Sequence, residues 1–545
     1  MRKKLAIITV WFVAALAAEA AKAAAPAAPP VARPMWMDDE GIVMAASWRS
    51  PASRARALGR MDFTLPILQY EGLRREHSQA VLDALKRLGV NVVLTHFYEG
   101  FGRMREQAGM IEAQQFAERA RQNRMRVGAY IGGSLGWETL FRETPAAAKW
   151  QAIGPDGEPV LVNPNEPFRR AVVHHHPGYI EHLEPIVRSA IQEMRADMVY
   201  FDGLDVGGAG WDPLSTREFQ DSLADRKVPN YYRVKPPVMV NLTNEVDRAW
   251  IDYRCEALTR YYRAMSRCVT STSSQCVMAG NTGGLGADNP MLRGVDHAKL
   301  LPLGSAFWGE RHSAGWKDGR PVTRIRSLKA GQAFGNSTLL FSETPLDVAE
   351  NMAFNKRCLG CIAWFENGEI ISCVGRAGPP SPFLKPYVDF YRAHPQFYIG
   401  TTLATDVAVV RTYKAFAHGT EQERRAIYDA EQALIESQTP FALLFDGLWD
   451  DLDAFRAIVT PGAAALDDKQ RKALEGYRLR GGELVDAATL RGDPQRARER
   501  LQRRRRLTIT APPAVAVEAA ERRMVPEVLV HLVNYNVEQP VKDIA

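Results

Sequence analysis

Between Met61 and about Phe365, short apolar runs alternate with longer segments whose apolar residues recur with helical period. A short continuous apolar run is typical of a strand buried on both faces, as in a parallel sheet. Eight such strands separated by helices predict a closed (β/α)8 TIM barrel. The predicted strands are Phe63 to Leu68, Val90 to Phe97, Arg126 to Ile131, Met198 to Asp202, Cys276 to Ala279, Ser305 to Trp308, Ser337 to Phe341 and Cys358 to Phe365.

The fourth predicted strand, Met198 to Asp202, ends abruptly in Asp202 and Gly203, with Asp205 close behind. Functional groups of a β/α barrel lie at the carboxyl ends of its strands. Asp202 is therefore the first candidate for a catalytic residue. Asp205 lies beyond the strand end and is expected to shape the loop or contact a substrate hydroxyl.

Hydrolysis of a glycosidic bond requires two carboxyl groups, one acting as nucleophile or base and the other as proton donor. Glu310 follows the sixth predicted strand and is the predicted partner of Asp202, although a surface pair with Arg311 would also explain it. Glu343 and Glu366 follow the seventh and eighth strands and compete for this role. Glu343 also fits a helix start, where it would serve as a cap.

Polar and aromatic residues follow the other predicted strands and would gather at the mouth of the barrel. A flat aromatic ring can stack on the C–H face of a sugar, while polar groups bind its hydroxyls. The predicted substrate-binding residues are His96, Tyr98, Glu99, Trp137, Glu138, Asn163, His175, Asp205, Trp308, Glu343 and Trp364.

Three consecutive histidines, His174 to His176, lie in a long insert that would form a wall or lid of this mouth. Consecutive residues cannot all face one ion in regular structure, so we predict no metal site and give His175 a hydrogen-bonding role beside Asn163. Neither a nucleophile elbow nor a zinc-protease motif is present in the sequence. We also predict no cofactor.

The first residues, Met1-Arg2-Lys3-Lys4 followed by an apolar run to Ala18 and an Ala/Pro-rich stretch, predict a secretory signal peptide and linker at residues 1–33. Secretion or periplasmic export follows, with no membrane attachment after the signal is removed. The net charge of +6 owes much to the run from Arg496 to Arg506, which is typical of a solvated helix face, so no nucleic-acid partner is predicted.

Export permits disulfides, and a bridge between Cys268 and Cys276 is plausible across the short polar loop that separates them. Cys358 and Cys361 have the spacing of a redox or zinc pair. Residues three apart on a strand point to opposite faces, so we predict buried structural thiols there.

A second unit begins near Tyr398, where strand-like and helical segments alternate again up to Glu483-Leu-Val485. This pattern predicts a smaller flavodoxin-like, doubly wound α/β domain at residues 398–510, after a barrel at 34–397. It has no Gly-rich phosphate loop. Residues 511–545 contain one further strand-like run, Val528 to Val533, which would add to a neighbouring sheet or begin a truncated β-sandwich.

Several motifs resemble a known group. Residues His96 to Gly102, Gly132 to Glu138, Trp150 onward with Gly157, and Val199-Tyr-Phe-Asp202-Gly resemble glycosyl hydrolase barrels related to the fucosidase and α-galactosidase superfamilies. In those barrels an aspartate that ends the fourth strand is the nucleophile, which implies this role for Asp202. The choice of Glu310 rests on position and not on a matched motif.

Residues 400–490 resemble the trimerisation domain of family 42 β-galactosidases, with Ile458-Val-Thr-Pro-Gly and Gly481-Gly482-Glu-Leu as the matching segments. The ending Val530-His-Leu-Val-Asn534-Tyr is similar to the first strand of the β-sandwich that often follows. This resemblance implies a homo-oligomer. Family 42 enzymes carry an Asn-Glu pair at the fourth strand where this chain has Phe201-Asp202, so the resemblance does not imply β-galactosidase activity.

The sequence thus predicts an exported glycosidase that acts on an oligo- or polysaccharide, with Asp202 and Glu310 in a retaining mechanism. The alternative is a pseudoenzyme that binds carbohydrate through the same mouth without hydrolysing it.

Overall fold

The computed structural model describes residues 33–47, 65–204, 210–310, 314–373, 378–501, 507–522 and 525–539, with backbone only for 65–70. Most of the predicted signal peptide (residues 1–32), Asp205, Arg311 and the end of the arginine run lie outside these residues. The strands are β1 Ile42–Ser47, β2 Val92–Tyr98, β3 Arg126–Gly132, β4 Leu135–Trp137, β5 Arg169–Ala171, β6 Met198–Asp202, β7 Val277–Asn281, β8 Ala306–Gly309, β9 Gly315–Lys317, β10 Arg320–Val322, β11 Ser337–Leu340, β12 Cys358–Glu366, β13 Glu369–Ile371, β14 Thr401–Leu403, β15 Val407–Arg411, β16 Ala442–Phe445, β17 Ala457–Thr460, β18 Glu483–Asp486, β19 Val515–Arg522 and β20 Val528–Asn534.

The helices of the described residues surround these sheets. They are α1 Trp36–Asp39, α2 Leu65–Glu76, α3 Gln79–Arg87, α4 Arg103–Gln122, α5 Glu138–Glu143, α6 Pro177–Gln192, α7 Pro213–Asp225, α8 Glu245–Thr272, α9 His297–Leu300, α10 Ile325–Ala333, α11 Pro345–Phe354, α12 Lys385–Ala393, α13 Glu421–Glu436, α14 Asp468–Leu479, α15 Ala487–Leu490 and α16 Pro494–Leu501. In this part of the chain, none of the helices combines the length and apolar character needed to cross a membrane.

Eight parallel strands form a barrel in the order β1, β2, β3, β6, β7, β8, β11, β12. Strand β12 pairs with β1, and a parallel bridge between Phe341 and Cys361 connects β11 to β12, which closes the ring. Alternate side chains of these strands fill the interior, among them Met44, Leu94 and Met198. The predicted TIM barrel is therefore the observed architecture.

The predicted first strand was wrong. Residues 65–68 belong to helix α2, and the first barrel strand is β1, Ile42–Ser47, which the sequence reading passed over. Proline has no backbone N–H. In the first turn of a helix, where Pro66 lies, this removes no helical hydrogen bond, whereas in a central strand it would remove a hydrogen bond of the sheet. Strand β6 keeps its place as the fourth strand of the barrel.

Residues that follow the barrel form two further sheets. The order β16-β15-β17-β18 is an all-parallel sheet, as predicted for a doubly wound unit. The C-terminal strand β20 pairs with β19, which pairs in turn with β14 at residues 401–403. The C-terminal segment therefore joins a three-stranded sheet with residues that precede the α/β unit. The boundaries at 397/398 and 510/511 stay predictions.

Buried ion pairs connect the barrel to the later sheets. Arg326 on α10 and Arg411 at the end of β15 both bind the carboxylate of Glu431, at 3.0 and 2.6 Å. Lys329, also on α10, lies 2.8 Å from Glu518 on β19. Because each of these charged groups is removed from water, the pairs hold the units in one arrangement.

All six cysteines are free and buried, so the bridge considered plausible between Cys268 and Cys276 is not formed. Cys358 and Cys361 are buried thiols, as predicted, but both lie in the barrel interior. The register of β12 against β1 shifts after Cys358, and Gly360 has a φ of +82°. This bulge turns both cysteines to one face.

Candidate active site

Asp202 ends the fourth barrel strand with its carboxylate at the mouth, and three hydroxyl or amide groups donate to it. Its Oδ2 accepts a hydrogen bond from Tyr130 at 2.8 Å. Its Oδ1 accepts from Tyr200 at 3.0 Å and from Asn281 Nδ2 at 2.9 Å. The strand register sets this geometry, since Tyr200 points inward two residues before Asp202. The carboxylate is held in one orientation.

The two tyrosines remain donors across the whole physiological pH range. Burial raises the pKa of both Tyr130 and Tyr200 well above the usual value, and the nearby charge of Asp202 raises it further. A phenol that stays protonated can only donate to a carboxylate. Both hydroxyls therefore stabilise the negative charge of Asp202.

Asn281, at the end of the fifth barrel strand, connects the two candidate carboxyl groups. Its Nδ2 donates to Asp202 Oδ1 and to Glu310 Oε1, at 2.9 Å in each case. Because both hydrogen bonds start from one nitrogen, the two oxygens lie within about 6 Å of each other. This limit fits the shorter separation between the two carboxyl groups of retaining glycosidases and not the wider one of inverting enzymes.

A chain of aromatic rings lines the inner wall beside these groups. Tyr130, Tyr200 and Trp308 follow one another with ring centroids 5.6 and 5.3 Å apart. Phe341 lies 5.1 Å from Trp308 and 5.8 Å from Trp364. Trp308 is fully buried, whereas Trp364 is partly exposed. The mouth therefore has an apolar floor. Among these aromatic rings, Trp364 is the one that a ligand can reach most easily.

His96, from the second barrel strand, lies at the other end of this chain of rings, 4.9 Å from Tyr130. Burial lowers its pKa to about 3, and the neighbouring His77 contributes to the shift, so the imidazole is neutral. Its Nδ1 lies 3.5 Å from Glu99 Oε1, and neither ring nitrogen has a hydrogen-bond partner among the described residues. A neutral imidazole offers one donor and one acceptor, which suits a sugar hydroxyl.

The loop that carries Glu99 is folded around a buried carboxylate. Glu106 accepts hydrogen bonds from the backbone N–H groups of Glu99 and Phe101, at 2.6 and 2.8 Å. Glu99 itself is buried beside His96. Glu106 therefore fixes the position at which Glu99 leaves β2.

Glu76 is a buried acid near the end of β1 that sequence reasoning did not identify. Its carboxyl accepts a hydrogen bond from Ser47, the last residue of β1. Burial raises the pKa of Glu76 to about 8, and the charges of Glu366 and Glu99 raise it further. Hydrogen bonds from Ser47 and from the Asn367 backbone act in the opposite direction. The group is thus a neutral acid at physiological pH.

Glu76→Gln is expected to remove a pH-dependent part of the stability. Because the folded pKa lies above the unfolded value, the contribution of Glu76 is complete below about pH 4.5 and is lost as the pH rises through 8. As the pH rises from 5 to 7, the free energy of unfolding of the wild type should fall by about 2 kcal/mol relative to that of the variant. Urea unfolding at the two pH values measures this difference. If wild type and variant differ in free energy of unfolding by the same amount at both pH values, the assigned protonation state of Glu76 is wrong.

Two predicted substrate-binding aromatics are buried and packed against other side chains. Tyr98 is buried and hydrogen bonds with His182 at 2.8 Å. Trp137 is buried between Phe101 and Phe168, with ring centroids 4.4 and 5.8 Å away. These two aromatics form the core beneath the loops, so the structure places neither as a platform for a sugar.

The predicted polar residues of the insert also have other partners. Glu138 pairs with Arg142 on the outer face of α5. Asn163 is exposed and caps its own turn by accepting from the Asn165 N–H at 3.0 Å. His175 is buried, where it hydrogen bonds with Tyr253 and lies 3.4 Å from Glu218. The structure therefore groups His175 with helices α7 and α8 and not with Asp202.

Glu343 lies buried after β11, directly before the cap of α11. The capping box uses Thr344 and Asp347, and the Glu343 N–H donates to the same Asp347 at 3.1 Å. The capping role considered for Glu343 thus belongs to its neighbours. Its position after the seventh barrel strand keeps it a predicted mouth residue.

Asn281, Tyr130 and Tyr200 are not among the predicted catalytic and substrate-binding residues. A usable signal was present, since inward-facing residues alternate along each strand. Val277, Ala279 and Asn281 form one such series, which places Asn281 at the mouth when the period of two is followed to the strand end.

No family model and no curated protein sequence matches this chain. Among solved structures, a catalytic mutant of a family 42 β-galactosidase from G. stearothermophilus matches 91% of this chain and 93% of its own, at 10% identity and a TM-score of 0.61. This chain has the fold of that enzyme.

Two further solved structures support the same conclusion. A cold-adapted β-galactosidase from a Rahnella species matches 88% of this chain and 77% of its own, at 13% identity and a TM-score of 0.54. The α-L-fucosidase isoenzyme 2 from Paenibacillus thiaminolyticus matches 84% and 66%, at 14% identity and a TM-score of 0.53. At such identities the likeness establishes the fold, and it confirms the predicted β/α barrel with a second α/β unit.

Proposed function

We propose that this protein is a glycoside hydrolase that acts on an oligo- or polysaccharide with retention of configuration. The observation that carries the proposal is the bridge from Asn281 Nδ2 to Asp202 Oδ1 and Glu310 Oε1, at 2.9 Å each. It holds one oxygen of each carboxyl group within about 6 Å of the other at a barrel mouth, which fits the close pair that a covalent two-step mechanism needs. The glycosidases with the same fold support the reaction class.

In the first step Asp202 attacks the anomeric carbon and forms a covalent bond to the sugar. Glu310 gives its proton to the leaving oxygen as the glycosidic bond breaks. In the second step Glu310 takes a proton from water, and the resulting hydroxide displaces Asp202. The sugar leaves with its original anomeric configuration, and both carboxyl groups return to their starting states.

Glu310 suits the proton-transfer role because it is exposed, whereas Asp202 is partly buried. Water can reach Glu310 in the second step without crossing the aromatic floor. Asp202 receives three hydrogen bonds that keep its charge directed at one point of the mouth. His96, Glu99 and Trp364 are the proposed contacts for the sugar hydroxyls and the C–H face.

Export through the signal peptide at residues 1–33 and secretion or a periplasmic location are proposed from the sequence alone. Self-association through the α/β unit at residues 398–510 is proposed from its resemblance to the trimerisation domain. Neither proposal affects the chemistry assigned to the mouth.

The test is a screen of the purified protein against aryl glycosides of both anomeric configurations and against plant, algal and host polysaccharides. On a substrate that is cleaved, proton NMR of the first-formed sugar should show the anomer of the starting glycoside. The opposite anomer would refute retention. Binding of a sugar by calorimetry, with no hydrolysis of any substrate, would establish the pseudoenzyme instead.

A further inference from the structure

We propose that Asn281 is a positioning residue that sets the distance between Asp202 and Glu310 and thereby commits the site to retention. This inference rests on the proposed glycosidase function and extends it to a residue with no direct part in bond making or breaking. The role is carried by hydrogen-bond geometry at the end of β7.

The orientation of the Asn281 amide follows from its neighbours. Its Oδ1 lies 3.1 Å from the backbone nitrogen of Gly283, which can only donate, so the atom facing Gly283 must be the oxygen. The nitrogen is then the atom that faces both carboxylates. Oxygen in that place would set three acceptors against one another.

The amide is also held rigidly. Asn281 is 6% exposed, and its strand pairs with β6 on one side and with Trp308 of β8 on the other. The backbone carbonyl of Asn281 accepts a hydrogen bond from the backbone N–H of Leu204, just beyond Asp202, at 3.1 Å. The same residue therefore fixes Leu204 just after the fourth strand, and it binds the side chains of Asp202 and Glu310.

The chemistry requires a donor at this place. Asp202 is ionised before it attacks, and one N–H of the Asn281 amide donates to this charge. When Asp202 becomes bound to the sugar it loses its charge, while Glu310 gains one by giving up its proton. Asn281 can donate to Glu310 in this state, so the base that must activate water stays in place.

Asn281→Asp and Asn281→Ala separate this role from packing. Aspartate has the shape of asparagine and keeps an oxygen toward Gly283, but it replaces the shared donor with a third carboxylate. A positioning donor predicts that Asp is the worse variant, with kcat reduced by about 10²-fold or more, while KM changes little. A packing role predicts the reverse order, with Asp close to wild type and Ala impaired.

The dependence on the leaving group is the second measurement. Glycosides with poor leaving groups need proton donation from Glu310, whereas activated dinitrophenyl glycosides do not. Both variants should therefore lose more activity on the first class than on the second. A uniform loss across leaving groups would overturn the proposal.

Asn244→Asp is the matched control. Asn244 caps helix α8 by accepting from the Val246 N–H, and aspartate caps equally well. Its rates should equal those of the wild type. If the alanine variant fails to fold, the comparison between the isosteric Asp variant and this control still decides the question.

The test distinguishes the two levels of the proposal. A wild type without activity on any glycoside removes the proposed function. An active wild type, an inactive Asp202→Asn variant and an Asn281→Asp variant with wild-type rates would refute the role of Asn281 alone.

Discussion

Asp202→Asn should reduce turnover of a responsive glycoside by at least about 10⁴-fold, as expected when the group that forms the covalent intermediate is removed. The amide has the same shape, and its oxygen can still accept from Tyr130 or Tyr200, so the strand and the mouth should stay folded. What it lacks is the negative charge that attacks the anomeric carbon. Initial rates on an aryl glycoside, together with circular dichroism of both proteins, measure this.

A chemical rescue sharpens the result. The smaller variant Asp202→Gly leaves space for an added anion such as azide, which should attack in place of the carboxylate and release a glycosyl azide of inverted configuration. Residual activity of Asp202→Asn within tenfold of the wild type would remove Asp202 as nucleophile. Glu310→Gln provides the comparison, since its activity on activated leaving groups should survive far better.

Glu350→Ala is expected to lower the free energy of unfolding by about 3 to 5 kcal/mol, the usual cost of breaking a buried ion pair by removing one partner. Glu350 on α11 accepts from Arg324 Nε at 2.6 Å and from the Arg324 backbone N–H at 2.8 Å. It also accepts from Tyr535 at 2.6 Å. The Arg324 side chain is 1% exposed, so loss of Glu350 leaves a charge away from water whose remaining carboxylate contact is to Asp347 at 3.4 Å. Its other contacts are to the backbone carbonyls of Phe341 and Asp347.

Glu475→Ala is the control for this prediction. Glu475 pairs with Arg478 on α14, but both side chains are more than half exposed, and such pairs add little to stability. Urea unfolding should give an unchanged midpoint for Glu475→Ala and a clear decrease for Glu350→Ala. Equal midpoints for the two variants would mean that the Arg324 cluster does not stabilise the fold.

The sequence predicted seven of the eight barrel strands, because each is a short apolar run that ends in polar residues. The prediction failed at the first strand, Ile42–Ser47. This segment contains two alanines and a terminal serine, so its apolar pattern does not stand out from that of the neighbouring residues. The apolar run at 63–68 was more conspicuous, but Pro66 suits a helix start. Burial inside a closed barrel, and not intrinsic preference, makes β1 a strand.

The site was predicted in outline. Asp202 could be placed because a strand end fixes one residue, and Glu310 because the same rule applied two strands later. The sequence did not show that Tyr98 and Trp137 are core residues and not residues of the mouth. An aromatic side chain near a strand end can either face the mouth or pack beneath the loops. Which way a side chain leaves the strand end depends on loops whose course the local sequence does not determine.

The cluster around Arg324 and Lys329 has a consequence for how the chain reaches its final state. Two helices of the barrel depend on Tyr535 and Glu518, which are synthesised almost 200 residues after them. A nascent barrel still lacks the groups that complete its buried charges, so its last step of folding waits until Glu518 and Tyr535 have been synthesised. For the export proposed above, this delay would favour a route in which the chain crosses the membrane before it folds.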